Sequence, residues 1–222
     1  MSGRRPGRSW VPLLGLTLVT SACLETIPKS ASRTSAGLAA ERADSVWAIA
    51  DTLVAAGPSA PRILVFGDLQ CPSCAALLGE LLAIPMSEAP AATLGFIHVP
   101  LPAHIRSPVA AAPLACLPDP EARSEYLRQM LRQRSSWLNG LPVSGVVDSV
   151  LDEMGYPSCG TANGEDPARQ RHQADQEAWA EQLLISWSPT ILINRKWLLR
   201  ESSTPEAVFA QLRAVGGSGS RP

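Results

Sequence analysis

The sequence from residue 61 to residue 74 reads Pro61-Arg62-Ile63-Leu64-Val65-Phe66-Gly67-Asp68-Leu69-Gln70-Cys71-Pro72-Ser73-Cys74. Its first part holds an apolar run, 63–66, and a short run with β-branched members predicts a strand that is buried on both faces. The glycine and aspartate that follow are typical of a strand end. Pro72 suits the first position of a helix. The stretch therefore predicts a strand, a turn and a helix, with a C-x-x-C motif at the helix start.

A C-x-x-C motif in this place indicates thiol–disulfide exchange. The reaction needs a thiolate, and a free cysteine with a pKa of about 8.5 is little ionised at neutral pH. At a helix start, unpaired N–H groups and the helix dipole stabilise the anion. We therefore predict that Cys71 is the attacking residue, with the N–H groups of Ser73 and Cys74 as donors. Cys74 is the predicted resolving residue, and no cofactor is required because the cysteine pair is itself the redox group.

The segments around this junction alternate between predicted helices and strands. Residues 38–56 are predicted to form one amphipathic helix. The apolar face of that helix would consist of Val46, Ile49, Ala50 and Leu53. Residues 94–99 and 190–193 are further strand candidates, and a turn at 194–196 would lead into a returning strand, 197–199.

Between these strands, residues from about 106 to 184 have a helical pattern. Ser107-Pro108, Asp119-Pro120 and Asp166-Pro167 each resemble an N-cap followed by proline at the first helical position. Pro113 is expected to kink or end the first of these helices. The order predicts an α/β domain over 38–217 with an inserted helical lobe, and a disordered tail at 218–222.

The first 22 residues have the features of a signal peptide. A basic start precedes an apolar stretch that is too short and too interrupted to remain as a spanning helix. Thr20-Ser21-Ala22 before Cys23 resembles a bacterial lipoprotein signal, in which the cysteine is lipidated; an ordinary secretory cleavage is the alternative. Both predict export, where disulfides are permitted. Residues 23–37 are predicted to be a flexible tether.

The chain has five cysteines, an odd number for an exported protein. Lipidation of Cys23 would account for one and the C-x-x-C for two. Cys116 and Cys159 remain and could pair as a structural disulfide. Alternatively, four cysteines could bind zinc, but structural zinc sites usually offer two close ligand pairs and only one pair is close here. We therefore predict no metal.

Composition and charge exclude other classes of function. With 45% hydrophobic and 18% charged residues, the chain is typical of a globular protein. A net charge of −1 and no basic run give no support for nucleic-acid binding. His98, His104 and His172 have no metal or catalytic-triad spacing. The charges from Arg128 to Arg134 predict a solvated helix face.

Three stretches resemble DsbA-like proteins of the thioredoxin superfamily. In residues 66–74, the sequence is similar to the Phe-x-Asp-x-Gln-Cys-Pro-x-Cys of many members. Residues 99–116 resemble the segment that enters their helical lobe. Trp187-Ser188-Pro189-Thr190-Ile191-Leu192-Ile193-Asn194 resembles their cis-proline loop and strand. The resemblance covers about 58–214 and implies a thioredoxin-like α/β fold with an inserted helical lobe.

The resemblance also implies roles for particular residues. Pro189 is expected to be cis and to lie against the Cys71–Cys74 pair, with Ser188 facing the sulfurs and helping to set the reduction potential. Cys116 and Cys159 are expected to form a second disulfide, the alternative being two buried thiols. Implied partners are exported proteins that contain cysteine, and a membrane thiol oxidase or reductase that resets the pair. The implied location is the periplasmic side of a bacterial cell envelope.

The sequence departs from the family pattern in places that bear on mechanism. Val65 stands six residues before Cys71, where thioredoxin-like enzymes often bury an acid for proton transfer. Asp68 is expected either to serve instead or to act only in the turn. Pro72-Ser73 is neither the Pro-His of strong oxidants nor the Gly-Pro of thioredoxin, so the direction of the reaction stays open.

The leading hypothesis is therefore an enzyme that oxidises, reduces or shuffles disulfides in exported proteins. One alternative is a lipid-anchored binding or scaffold protein that keeps the fold without turnover. Another is a copper(I) chaperone, because soft thiolates suit that ion; four methionines and the absence of a histidine near the motif weaken it.

Overall fold

The structure is a computed structural model that describes residues 44–83, 92–161, 166–194, 197–199 and 204–217. The predictions of a signal peptide, a lipidated Cys23, a tether at 23–37, the turn residues 195–196 and a tail at 218–222 lie outside these ranges. Among the described helices, none is long and apolar enough to cross a membrane.

The described strands form one mixed sheet in the order β1-β3-β2-β4-β5. They are β1 (Asp51–Val54), β2 (Arg62–Gly67), β3 (Thr93–His98), β4 (Thr190–Ile193) and β5 (Trp197–Leu199). The central strand β2 pairs in parallel with β3 and antiparallel with β4. Both outer pairs, β1 with β3 and β4 with β5, are antiparallel. The strand that carries the C-x-x-C motif thus lies in the middle of the sheet.

Strand β2 is buried on both faces, as its apolar run predicts. Ile63 and Val65 face the larger core together with helices of the lobe. Leu64 and Phe66 face a smaller core on the other side of the sheet. Each side chain of this kind contributes about 1.5–3 kcal/mol when it leaves water. The position of the redox motif is therefore fixed by packing from two directions.

The predicted single helix over 38–56 is wrong for part of its length. Among the described residues, 44–49 are helical (α1), but Asp51–Val54 is strand β1. Its side chains are alternately buried and half-buried, and it pairs antiparallel with β3. Ladder hydrogen bonds and the burial of Leu53 in the larger core outweigh the helical periodicity.

The longer helices follow the predicted order. Helix α2 (Pro72–Ala83) follows β2 directly. In the described residues between β3 and β4, five α-helices form the inserted lobe: α3 (Ser107–Ala111), α4 (Pro120–Arg132), α5 (Arg134–Asn139), α6 (Val143–Glu153) and α7 (Pro167–Gln182). Helix α8 (Pro205–Gly217) follows β5. The predicted thioredoxin-like α/β fold with a helical lobe is confirmed.

Two of the three predicted aspartate or serine caps are present. Asp119 accepts a hydrogen bond from the N–H of Ala122, and Asp166 accepts one from Ala168. Ser107 instead lies inside α3, and Arg106 occupies the N-cap position without a side-chain bond. Helix α3 ends before Pro113, as predicted, and continues as a 3-10 turn.

Candidate redox site

The two cysteines of the motif lie where β2 leads into α2, and both are free thiols. Cys71 directly precedes the helix and is 7% exposed, whereas Cys74, in the first turn, is completely buried. Gly67 leaves room for the inner thiol: a Cβ atom at this position would lie 3.4 Å from the Cys74 sulfur and 3.2 Å from the ring of Phe96. The junction therefore presents an outer and an inner sulfur.

The outer thiol, that of Cys71, ionises more readily than an ordinary cysteine. Burial opposes its ionisation and is the largest single effect on its pKa. Hydrogen bonds outweigh burial: the Ser73 hydroxyl lies 3.1 Å from the sulfur, and further bonds come from the Cys74 N–H, the Cys74 thiol and the Ser73 N–H. The pKa of Cys71 consequently lies below its ordinary value, which enlarges the thiolate fraction at neutral pH.

The inner thiol behaves in the opposite way. Burial raises the pKa of Cys74 to about 12, although hydrogen bonds from the Asp68 backbone and the Ser188 hydroxyl partly oppose this rise. The negative charge of Cys71 contributes to the same rise. Cys74 thus stays protonated while Cys71 is a thiolate, which separates the two sulfurs into different chemical states.

The loop before β4 lies against both sulfurs. The peptide bond between Ser188 and Pro189 is cis. The sulfur of Cys71 lies 3.7 Å from the carbonyl oxygen of Ser188, and the sulfur of Cys74 lies 2.8 Å from its hydroxyl oxygen. Trp187, the preceding residue, is 59% exposed. The fold therefore brings together the motif and the Ser188–Pro189 pair that the sequence singled out.

Asp68 is buried and its carboxylate braces the turn before Cys71. One oxygen accepts a hydrogen bond from the N–H of Gln70 at 2.6 Å. The other lies 2.7 Å from the N–H of Leu101 and 2.9 Å from Nδ1 of His104. Burial raises its pKa, but the hydrogen bonds from Leu101, Ser107, Gln70 and His104 together bring the pKa below the usual value. A role in proton transfer to the cysteines stays a prediction.

Several further side chains hold the same turn, in roles that the sequence analysis did not predict. The hydroxyl of Ser107 accepts a hydrogen bond from the N–H of Leu69 at 3.1 Å and lies 2.9 Å from Nε2 of His98. Burial lowers the pKa of His98 to about 4, so this ring is neutral at neutral pH. The side chain of Gln70 accepts from the N–H groups of Arg106 and Ser107. Gln70 lies within the motif that resembles DsbA-like proteins and Ser107 within a predicted helix cap, but neither pattern predicts these contacts.

Cys116 and Cys159 form a disulfide in the lobe. Their Cα atoms lie 5.6 Å apart, and 43 residues separate them in sequence. The guanidinium of Arg169 donates to the carbonyl oxygens of Ser158, Cys159 and Gly160, which fixes one side of this disulfide. Because the sulfurs of Cys116 and Cys159 are bonded to each other, they are not available as zinc ligands in this state of the protein. Among the described residues, no group of three or more histidine, cysteine or acidic side chains is arranged to hold a metal ion.

The sheet order, the C-x-x-C motif at the start of α2 and the cis-proline loop define the class of thioredoxin-like proteins with a helical lobe. The family model described as Thioredoxin matches residues 50–214. This chain therefore belongs to the thioredoxin family.

Solved structures with the same fold include proteins of thiol–disulfide exchange. The catalytic domain of Proteus mirabilis ScsC is 14% identical, with a TM-score of 0.64 over 81% of this chain and 97% of that one. The thiol–disulfide exchange protein α-DsbA2 from Wolbachia pipientis is 11% identical, with a TM-score of 0.65 over 84% and 98%. Chlamydia trachomatis DsbA is 18% identical, with a TM-score of 0.60 over 77% and 93%. At these identities the likeness shows a shared DsbA-like fold. A comparison with curated proteins by sequence found no match.

Proposed function

We propose that this chain is a thiol–disulfide oxidoreductase that acts on disulfides of exported proteins through Cys71 and Cys74. One observation carries the proposal: the outer thiol has a pKa below its ordinary value, and the inner thiol, with a pKa of about 12, lies one helical turn away. A two-step exchange requires a first thiol that ionises readily and attacks the substrate. It also requires a second thiol that stays protonated until it attacks the mixed disulfide.

In the reducing direction, the Cys71 thiolate attacks one sulfur of a substrate disulfide. A bond forms between Cys71 and that sulfur, the substrate S–S bond breaks, and the other substrate sulfur leaves as a thiolate. Cys74 then loses its proton and attacks the sulfur of Cys71, which releases the second substrate thiolate. The substrate has gained two electrons, and the protein now carries a Cys71–Cys74 disulfide.

The same steps in reverse oxidise a substrate dithiol, and a membrane thiol oxidase or reductase would return the pair to its starting state. Pro189 has no backbone N–H to donate. We expect the backbone just before it to form hydrogen bonds with an extended segment of the substrate. Ser188 supplies a hydroxyl to the inner sulfur. The exposed Trp187 offers an apolar contact to the substrate beside the sulfurs.

Localisation follows from the N-terminal features. We propose that the chain is exported, that Cys23 carries a lipid, and that the domain acts on the periplasmic side of a bacterial membrane. The cell envelope is an oxidising compartment in which exported proteins form disulfides, so substrates and domain would meet there.

The reduction potential of the Cys71–Cys74 couple tests the proposal. The purified protein would be equilibrated in glutathione buffers, and the redox state read by alkylation and gel shift. A reversible couple near about −120 mV would mark an oxidant, and one near about −270 mV a reductant. The variant Cys74→Ser should lose the couple, and Cys116→Ala/Cys159→Ala should keep it. The absence of a reversible two-electron couple in the wild type would contradict the proposal and favour a binding protein without turnover.

A further inference from the structure

The turn that leads into the redox motif, residues 68–71, is here called the active-site turn, and an arginine of the lobe binds it. Arg134 is the first residue of α5. Its Nε donates to the carbonyl oxygen of Leu69 at 3.2 Å, and a terminal nitrogen donates to the carbonyl oxygen of Gln70. The second carbonyl belongs to the peptide bond that joins Gln70 to Cys71. A cationic side chain from the lobe thus reaches the peptide next to the attacking cysteine.

A second arginine, Arg106, lies just before α3 and also connects α5 with the active-site turn. The backbone N–H of Arg106 donates to the side chain of Gln70 at 2.8 Å. Its guanidinium donates to the carbonyl oxygens of Trp137, at 3.1 Å, and Leu138, near the end of α5. Helix α5 is therefore tied at its start to the active-site turn and near its end to the residue that holds Gln70.

Arg134 supplies hydrogen-bond donors to two backbone carbonyl groups of the active-site turn. Within the active-site turn, the carbonyl of Asp68 accepts from the N–H of Cys71, and the carbonyl of Cys71 accepts from Ala75 in α2. The carbonyls of Leu69 and Gln70 accept from Arg134. Buried or half-buried backbone groups without partners are costly. Arg134 therefore satisfies the two carbonyls that the local backbone does not.

The position of Arg134 is not explained by the stability of its own helix. A cation at a helix start is disfavoured by the helix dipole. Arg128 and Arg132, earlier in the same charged run, pair with Glu125 on the surface, as the sequence predicts. Arg134 departs from the predicted solvated face and turns towards the redox motif instead.

We infer that Arg134 is a positioning residue for Cys71, and that Arg106 and Arg134 together form a clasp that couples the lobe to the redox motif. By donating hydrogen bonds to the carbonyl oxygens of Leu69 and Gln70, Arg134 holds the turn in the conformation that places the Cys71 sulfur at the start of α2 and favours the thiolate. The inference deepens the proposed function and rests on it for its consequence in turnover.

Within the described residues, the other charged or titratable groups around the active-site turn are Asp68, His98, His104, Cys74 and Arg106. All remain unchanged when Arg134 alone is replaced. Arg134 holds the turn that places the Cys71 sulfur beside the Ser73 hydroxyl and the N–H groups at the start of α2, and hydrogen bonds to a thiolate favour the ionised form. Loss of Arg134 should therefore raise the pKa of Cys71.

The test compares Arg134→Met, Arg134→Lys and the matched control Arg132→Met in the full chain. The readouts are the rate of alkylation at Cys71 against pH, followed by mass spectrometry, and the reduction potential. We expect R134M to slow alkylation at neutral pH by at least about threefold and to move the pH profile upwards. R134K, which keeps the charge without the two-pronged geometry, should give a smaller shift in the same direction. R132M should match the wild type.

An R134M profile equal to that of R132M would overturn the inference, even if R134M melted at a lower temperature, because a purely structural role lowers stability without moving the profile. Should R134M fail to fold, R134K decides by the same criterion. These outcomes differ from failure of the proposed function. If the wild type has no reversible couple but the alkylation profile of R134M is shifted, the proposed enzymatic function is refuted and the positioning role of Arg134 is retained.

Discussion

The hydroxyl oxygen of Ser188 lies 2.8 Å from the sulfur of Cys74, although the two residues are 114 positions apart in sequence. Cys74 is completely buried and Ser188 is half-buried, so the hydroxyl of a partly exposed residue contacts the inner sulfur. In the proposed reaction, Cys74 must lose a proton despite a pKa of about 12. Val65, six residues before Cys71, carries no group that could accept this proton. Ser188 is therefore placed to assist the inner thiolate.

Replacing Ser188 with alanine should slow the resolving step. The variant removes a hydrogen bond that lowers the pKa of Cys74, and bonds to charged groups contribute about 1.5–3 kcal/mol. We expect the mixed disulfide with a model peptide to persist about tenfold longer or more, measured by acid quenching and mass spectrometry. The reduction potential of the Cys71–Cys74 couple should also become more negative, because the variant stabilises the reduced, dithiol form of the pair less.

Two variants control this prediction. Ser188→Thr keeps the hydroxyl and should resolve at a rate close to that of the wild type. Ser186→Ala removes a serine hydroxyl from an exposed position in the same loop and should have no effect. Equal resolving rates in S188A and the wild type would show that the hydroxyl takes no part in the step.

Local patterns were sufficient to predict the centre of the fold. The apolar run of β2, the proline at the start of α2 and the apolar run of β4 each carry their signal within a few residues. The spacing of apolar residues in β1 fits a helix as well as a strand, and for that reason the sequence predicts a helix there. The strand forms because β1 pairs with β3, whose residues lie about 40 positions away. Pairing of that kind is decided by the tertiary structure.

The residues of the redox site also fall into two groups, those that the sequence predicts and those that only the structure reveals. Cys71, Cys74, Ser188 and Pro189 lie in motifs that a single sequence displays. Ser107 reaches Leu69 across 38 positions and Arg134 reaches Leu69 across 65. The local signal of Ser107 predicts a helix cap rather than a contact with Leu69, and the charged run around Arg134 predicts only a solvated helix face. Such support residues are visible only when the backbone groups of the active-site turn are followed to their partners.

Asp68→Asn should destabilise the fold and remove part of its sensitivity to acid. The carboxylate accepts hydrogen bonds from Leu101, Gln70 and His104, and an amide cannot accept all of them. We expect a loss of about 1–3 kcal/mol at neutral pH in urea unfolding. Because the pKa of Asp68 is lowered in the folded state, its contribution is present above about pH 4 and is lost as the pH falls through the folded value. D68N should therefore lose less stability on acidification than the wild type.

The matched control for this prediction is Asp152→Asn, an exposed aspartate on the lobe. It should unfold at the urea concentration of the wild type at each pH. Identical acid curves for D68N and the wild type would show that the Asp68 carboxylate does not carry the effect.

His172→Gln should change stability in the opposite pH range. Nε2 of His172 lies 3.1 Å from the buried carboxylate of Asp51 in β1, and this hydrogen bond raises the pKa of His172 more than burial lowers it. A raised pKa means that the contribution is complete below about pH 6.5 and is lost as the pH rises through the folded value. The difference in free energy of unfolding between wild type and H172Q should thus be larger at about pH 5.5 than at about pH 8.5. Gln173→Ala, the neighbouring position, should show no such difference between the two pH values.

Removing the lobe disulfide with Cys116→Ala/Cys159→Ala should lower the free energy of unfolding by about 2–4 kcal/mol. The bond joins residues 43 positions apart, and without it the unfolded chain gains the freedom of that loop. The measurement is urea unfolding of the oxidised proteins, with the midpoint and the slope compared. The single variant Cys116→Ala should lose about as much, because it breaks the same bond and leaves the buried thiol of Cys159 in place. A reductant should lower the midpoint of the wild type more than that of the double variant, which retains only the Cys71–Cys74 pair as a reducible site in the described domain. Equal midpoints of the oxidised wild type and the double variant would show that the disulfide does not stabilise the lobe.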